Sequence, residues 1–259
     1  VTFNIETAFL DDDEAERIDR SHPELMLGVC PTCRGAKTYR WQGNECDCNC
    51  QRQLQLALHY AASGIGVTYQ RLDWADYEGD PALLPHVLKY LERHDDYIAR
   101  GVGLLFHGGI GLGKTLVANL VLKELIKRGY TCFATTFANA VEAFTASWRS
   151  SERKEWFADK FMYSKVLLLD DLGRELRTST NLPQSTFDMI LRTRVAEGRP
   201  TVLTTNCTLG ELSTGYGAQV LSQLSEQSLV FEFTGEDYRP KARRRTVDEI
   251  ERGEIRPII

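Results

Sequence analysis

Between Gln51 and Ala62 apolar residues return by threes and fours, with Leu54, Leu58 and Ala61 on one side, which predicts a helix stopped by Gly64-Ile65-Gly66. Upstream, residues 1 to 24 carry the acidic run Asp11-Asp12-Asp13-Glu14 and little periodicity, and read as a flexible or weakly helical arm. An aromatic stretch, Tyr69, Leu72, Trp74 and Tyr77, closes at Pro81. Leu84, Val87, Leu88, Leu91 and Ile98 then predict one helix from about Ala82 to Arg100. From Gly103 the pattern changes to short apolar runs alternating with helical ones. Strands are expected at Gly103 to His107, Thr131 to Thr135, Lys165 to Leu169, Thr201 to Thr205 and Leu229 to Phe233. Helices are expected at Lys114 to Arg128, Ala138 to Ser150, Glu152 to Met162 and Gln184 to Glu197, the first ending at Gly129. Continuous short apolar strands suit burial on both faces. The alternation therefore predicts an α/β three-layer sandwich around a parallel five-stranded sheet, with ligands beyond the carboxyl ends of the strands.

A chain of 259 residues has room for one large domain, or for a main domain with a small appendage. We divide it into residues 1–62, comprising arm, Cys-rich module and helix, and residues 63–259, the nucleotide-binding domain with a basic C-terminal tail. With 42% apolar and 26% charged residues, wholesale disorder is excluded. No apolar run approaches the roughly 18 residues of a membrane span, and Val1 to Arg20 is acidic where a secretory signal would be basic and then apolar. A cytoplasmic protein with no membrane partner is expected. The net charge of -5 argues against a surface that grips DNA everywhere. Lys241, Arg243, Arg244 and Arg245 form a local exception, open to two readings, a solvated tail or an anion-binding patch.

The most specific motif is Gly108-Gly109-Ile110-Gly111-Leu112-Gly113-Lys114-Thr115, which fits Gly, four residues, Gly-Lys-Thr and lies between an expected strand and an expected helix that continues into Leu116. Glycines let backbone N–H groups turn inward on a phosphate, and the helix start adds unsatisfied donors and a positive dipole end. ATP is the expected ligand, Lys114 reaching its β- and γ-phosphates and Thr115 coordinating Mg²⁺. The apolar run Val166 to Leu169 ends in Asp170 and Asp171. If this strand neighbours the loop strand, Asp170 serves the Mg²⁺ and Asp171 the attacking water. Asn206, after Thr204 and Thr205, is a candidate sensor of the γ-phosphate or, alternatively, a loop residue capping its own backbone.

Five of the seven cysteines lie between Cys30 and Cys50. In a reducing compartment that density points to metal rather than disulfides. Cys30, Cys33, Cys48 and Cys50 can surround Zn²⁺ tetrahedrally, supplying folding energy that so short a module lacks; Cys46 is a spare or alternative ligand, and an iron–sulfur cluster is the competing reading. Cys132 and Cys207 read as packing residues.

With these elements placed, the chain resembles the DnaC- and DnaI-like helicase loaders of the AAA+ class, many of them phage-encoded, with IstB transposition ATPases as close relatives. The resemblance spans about residues 25 to 240. It rests on the Cys-rich module running into Gln51-Arg52, on Gly66-Val67-Thr68-Tyr69-Gln70-Arg71-Leu72 leading to Tyr77, on the phosphate loop, on Leu169-Asp170-Asp171-Leu172-Gly173 and on Thr204-Thr205-Asn206. It implies ATPase activity with Lys114 and Thr115 as nucleotide and Mg²⁺ ligands, Asp170 as metal carboxylate, Asp171 as base and Asn206 as sensor. It also places the segment of Tyr69, Leu72 and Tyr77 near the adenine, against an equally open reading as aromatic core. The implied partners are a hexameric replicative helicase, single-stranded DNA, and further copies of the chain or the helicase ring.

One departure stands out. Gln219 and Gln223 occupy positions where the family usually carries arginines that reach a neighbouring subunit's ATP. Glutamine cannot neutralise developing phosphoryl charge. Hydrolysis is then slow, uses Arg192, Arg194 or Arg199, or depends on a partner; Arg239 and Arg243 are candidates for a sensor in cis. Three functions follow for testing: a helicase loader, a transposition-associated ATPase acting on duplex DNA, and a nucleotide-gated adaptor without catalysis.

Overall fold

Two hydrogen-bonded sheets organise the chain in the computed structural model, which describes residues 38–41, 44–47, 49–173, 181–253, 256 and 258, with side chains from residue 56 onward. Val1–Leu72 with Ile255–Ile259 group as one compact unit and Asp73–Glu254 as another. In the first, strands β1 (Thr38–Trp41) and β2 (Asn44–Asp47) pair antiparallel, Thr38 opposite Asp47 and Trp41 opposite Asn44. Helices α1 (Asn49–Ala62) and α2 (Val67–Gln70) follow. The Gln70 amide donates to Ile65 O at 2.9 Å and closes the turn between them. Cys30, Cys33, Cys48 and Cys50 lie outside the residues whose side chains are described.

The second unit holds the five-stranded sheet: β3 (Gly103–Gly108), β4 (Cys132–Thr136), β5 (Val166–Leu172), β6 (Thr201–Thr205) and β7 (Ser228–Phe233). Their order is β4-β5-β6-β3-β7, every pair parallel. Successive side chains of a strand alternate between faces, so Leu105, Phe133, Leu167, Leu169 and Leu203 share one face. They pack with Phe137 of α6 (Phe137–Ser147) and Phe187, Ile190 and Leu191 of α8 (Leu182–Ala196). Helix α5 (Lys114–Lys127) packs against β3, β4, β5 and β6 and buries Val117, Leu120, Val121 and Leu125. At Gly103 a Cβ would stand 2.0 Å from Thr201 O, so glycine is required where β3 and β6 approach.

Three local expectations are corrected. The helix predicted over 82–100 is two helices, α3 (Leu84–Glu92) and α4 (His94–Ala99), because Arg93 leaves helical geometry at φ -109 and ψ 28. The break re-phases the apolar residues so that Val87, Tyr90, Leu91 and Ile98 are all buried, while Leu88 is 37% exposed. The helix predicted over 152–162 is α7 (Ser151–Phe157) followed by a π-helical turn, Ala158–Tyr163. The wider turn carries Phe161 and Met162 into the core and leaves Trp156 at the surface. Downstream, α9 (Leu209–Tyr216) begins with a capping box between Thr208 and Glu211, and α10 is Ala218–Gln227. The segment read as a basic tail contains a helix, α11 (Arg239–Glu251).

Arg194 is completely buried. Its guanidinium donates to the carbonyls of Phe161 (3.1 Å), Ser164 (3.0 Å), Lys165 (3.3 Å) and Pro200 (2.7 Å), and Nε to Thr201 Oγ1 (3.0 Å). It ties the π-helical turn to the starting ends of β5 and β6. So placed, Arg194 cannot reach another subunit, and it leaves the set of candidate trans arginines. Arg192 is exposed and paired with Asp188, and Arg199 donates to Tyr163 O beside the start of β6.

Candidate nucleotide site

The chain turns sharply out of β3 through Gly108 (φ 138), Gly111 (φ 78) and Gly113 (φ 85), conformations that side-chain-bearing residues rarely adopt. Gly108 also has no space for a side chain, since a Cβ there would stand 2.2 Å from Phe233 O. Gly109 and Ile110 are exposed at the tip of the loop and Leu112 is buried beneath it. Helix α5 starts at Lys114 with no side-chain cap, leaving the N–H groups of its first turn directed at the loop. The residues fit a phosphate by this geometry, a ring of left-handed glycines at a helix start.

Lys114 is 6% exposed. Its ammonium donates to Gly108 O (2.9 Å), Gly109 O and Asn206 Oδ1 (2.8 Å). Burial pulls its pKa down, Asp171 and Asp170 pull it back up, and nearby Arg239 adds to the decrease. Thr115 Oγ1 donates to Asp170 Oδ1 at 2.9 Å. A hydroxyl beside a carboxylate is a hard-oxygen pair of the kind Mg²⁺ takes together with phosphate oxygens.

The strand of Asp170 does not neighbour the loop strand, since β6 lies between them. The condition of direct adjacency is therefore not met. The site closes nonetheless because β5 bulges between Leu169 and Leu172, where its register with β6 shifts. Asp171 sits there at φ 59, the one non-glycine residue with positive φ among the described residues, a conformation costing on the order of 1 kcal/mol. Thr204 of β6 repays part of it: its Oγ1 accepts from Asp171 N at 2.9 Å and donates to Asp170 Oδ1. Burial raises the Asp170 pKa, while the hydroxyls of Thr204 and Thr115 oppose the rise. Asn206 donates from Nδ2 to Asp171 Oδ1 at 2.9 Å, so its amide bridges Lys114 and Asp171 rather than its own backbone. Thr204 is a site residue that sequence reasoning missed; its signal was a threonine before Asn206 in a strand otherwise set by packing.

Two further segments border the loop. The ring of Tyr77 lies against Gly113, where a Cβ would come within 2.9 Å of Cε2, and its hydroxyl pKa is pushed up to about 12 by burial and by Asp80. Tyr238 N–H donates to Gly111 O at 3.0 Å, and Asp237 Oδ1 would stand 1.8 Å from a Cβ on Gly111. Tyr69 and Leu72 belong to the other compact unit. Gln219 is exposed and Gln223 half-buried on α10, whose Val220 and Leu224 face inward. Among the described residues no cluster of His, Cys, Asp and Glu forms a separate metal site, and no helix is long and apolar enough to cross a membrane.

The chain is similar to several known proteins. The replicative helicase loader DnaC of Escherichia coli K12 is 26% identical over 185 residues, covering 69% of this chain and 74% of that protein. The putative ATP-binding protein of insertion sequence IS5376 from Geobacillus stearothermophilus is 30% identical over 156 residues, covering 57% of this chain and 59% of that protein. In fold, the crystal structure of the DnaC helicase loader superposes with a TM-score of 0.58 at 23% identity, covering 64% of this chain and 99% of that one. A model of the IstB-like ATP binding proteins matches residues 45–246. With its phosphate loop inside that match and a five-stranded parallel sheet beneath it, the chain belongs to the IstB-like ATP-binding family and is similar to the DnaC and DnaI loaders.

Proposed function

We propose that the chain is an ATP-dependent loader of a hexameric replicative helicase onto single-stranded DNA, with ATP binding and hydrolysis governing assembly and release. The observation that carries the reading is the meeting of Lys114, Thr115, Asp170, Asp171 and Asn206 around one glycine loop, in a chain 26% identical to a helicase loader. Lys114 would exchange its carbonyl acceptors for β- and γ-phosphate oxygens, and Thr115 and Asp170 would hold Mg²⁺. The ion neutralises charge on the phosphoryl oxygens when bound. Asp171 orients and deprotonates the attacking water, and Asn206 senses the γ-phosphate through its bonds to Lys114 and Asp171. The absence of arginine at Gln219 and Gln223 makes unassisted turnover slow.

Contact with single-stranded DNA is supported by an aromatic surface on α6, α7 and the π-helical turn. Trp148, 67% exposed, lines a cleft of about 620 Å³ with Arg149 and Lys154, and Trp156 (48%) and Tyr163 (58%) are exposed further along the chain. Bases stack on exposed rings while cations meet phosphates. Cys30, Cys33, Cys48 and Cys50 supply the thiolate chemistry of a structural zinc. A second reading, a transposition-associated ATPase, is favoured by the relative from an insertion sequence.

The test mixes the chain with the hexameric replicative helicase of its own cell and a circular single strand. Wild type gives an ATP-sensitive complex and helicase transfer. Lys114→Ala loses ATP binding and transfer, with its zinc content unchanged. A chain that ignores the helicase and forms ATP-dependent filaments on duplex DNA overturns loading in favour of transposition.

A further inference from the structure

Helix α11 is the least embedded element of the second compact unit: none of its residues is buried. It is held at its start by Tyr238 N–H on Gly111 O, and along one side by Arg245, whose guanidinium meets Asp76 at 3.1 Å and Glu78 at 3.4 Å. At 100° per residue from Arg239, Arg245 falls at about 240°, while Ile250, Arg243, Val247, Glu251 and Arg244 fall between about 20° and 140°. One face of about 120° therefore looks away from the anchor and, beyond Pro240 in the first turn, carries two arginines, two apolar side chains and a carboxylate.

Val247 is 43% exposed and Ile250 71%. Arg243, Arg244 and Glu251 are exposed, and none of the three has an ion-pair partner among the described residues. Charge is segregated along the helix: the first turn has no acidic residue, the first half carries Arg239, Lys241, Arg243, Arg244 and Arg245, and Asp248, Glu249 and Glu251 follow. Cations at the start and anions at the end oppose the helix dipole, so within one molecule this order is unfavourable.

The order becomes complementary when two such helices run antiparallel. We propose that α11 is a homodimer contact, pairing with α11 of a second copy about a two-fold axis near Val247. Residues then match as their numbers sum to about 494: Val247 meets Val247 of the other copy, Arg243 meets Glu251, and Ile250 lies against the stem of Arg244. Every exposed apolar group on the face is covered, and its carboxylate gains a guanidinium. A purely cationic or purely apolar partner would satisfy only half of this face. Such an isologous contact closes at two copies. A pairing of one 13-residue helix from each copy falls below the size of a stable interface, so the dimer is weak and salt-sensitive. The inference concerns the chain's own copy and does not depend on the helicase-loading reading.

Sedimentation equilibrium on the full chain at low salt tests it. Wild type self-associates, and Val247→Asp raises the dimer Kd by about tenfold or more, as does Arg243→Glu with Arg244→Glu. Adding Glu251→Arg to the double variant restores the dimer, because both copies then carry the reversed pair. Circular dichroism on each variant confirms that α11 persists. A monomeric wild type overturns the proposal, and so does a dimer that survives Val247→Asp. If the charge-reversed triple variant stays monomeric while the arginine variants lose affinity for an oligothymidylate, the face serves nucleic acid and the pairing is refuted.

Discussion

Replacing Arg194 by alanine removes a cation that sits in the protein interior without a carboxylate among its bonding partners. Its guanidinium and Nε make five hydrogen bonds of 3.3 Å or less, four to carbonyls and one to Thr201 Oγ1. Truncation strands those acceptors in a site from which water is excluded and opens a cavity the length of the side chain. Charged hydrogen bonds lost this way are not additive, and the cost of burying the guanidinium is recovered when it is removed. Breaking one side of a buried ionic network costs about 3–5 kcal/mol, which we take for Arg194→Ala. In a chain of this size each kcal/mol moves Tm by about 2–4 °C, so Tm falls by about 6–20 °C. Arg194→Lys keeps the charge but has three donors on one nitrogen, and falls between the two. Thermal unfolding followed by circular dichroism gives the shift; ATP affinity, measured well below both transitions, stays at the wild-type value because the site lies at the opposite ends of β5 and β6. A variant that melts within 2 °C of wild type yet loses ATP turnover refutes the structural role and returns Arg194 to the catalytic candidates.

Two further substitutions separate stability from ligand binding. Burial raises the Asp170 pKa, so the folded state binds that proton more tightly than the unfolded chain; stability from this group is present below the unfolded carboxylate value and lost as pH rises through the folded one. Asp170→Asn keeps an acceptor for Thr115 and Thr204, and is expected to raise the Tm of the nucleotide-free chain at neutral pH. That advantage disappears below about pH 3.9. The same variant forfeits the stabilisation by Mg²⁺ and ATP, about 2.7 kcal/mol at ligand one hundred times Kd, and an undiminished nucleotide shift in a melting assay would contradict the assignment. Gly111→Ala places a methyl group where φ is 78 and Asp237 Oδ1 already stands. It costs roughly 1–2 kcal/mol of stability and lowers ATP affinity in calorimetry; because the strain is in the backbone, adding Asp237→Ala does not restore affinity, and restoration would show that the clash alone matters.

The sheet was legible because buried strands announce themselves as short apolar runs, and Gly103 to His107, Thr131 to Thr135 and Thr201 to Thr205 end within a residue or so of β3, β4 and β6. The loop was legible because glycine at 108, 111 and 113 is required by backbone angles that few other residues tolerate. Strand order was not. Periodicity carries no information on which strands lie side by side, so whether the Asp170 strand neighbours the loop strand stayed a condition, and β6 lies between them. The break at Arg93 and the π-helical turn were hidden because each inserts a phase shift into an otherwise helical pattern, and the shift is set by packing of Ile98 and Phe161. Helix α11 was hidden for the opposite reason, since it buries nothing and so has no apolar periodicity to read.

The intervening strand gives the site its wiring. Were β5 adjacent to β3, Asp170 and Asp171 would lie beside the loop with nothing between them and Lys114. Instead β6 places Thr204 and Asn206 in the gap: Asn206 bonds to Lys114 and to the Asp171 carboxylate, and Thr204 to the Asp170 carboxylate and the Asp171 backbone N–H. Lys114 has three N–H groups and three acceptors, all met within the chain. A phosphate can be engaged only if one of those acceptors is released. Releasing the carbonyls of Gly108 and Gly109, as proposed above, leaves the Asn206 bridge from Lys114 to Asp171 in place. On the proposed reading, nucleotide bound at β3 is felt on β5 through a single side chain of β6.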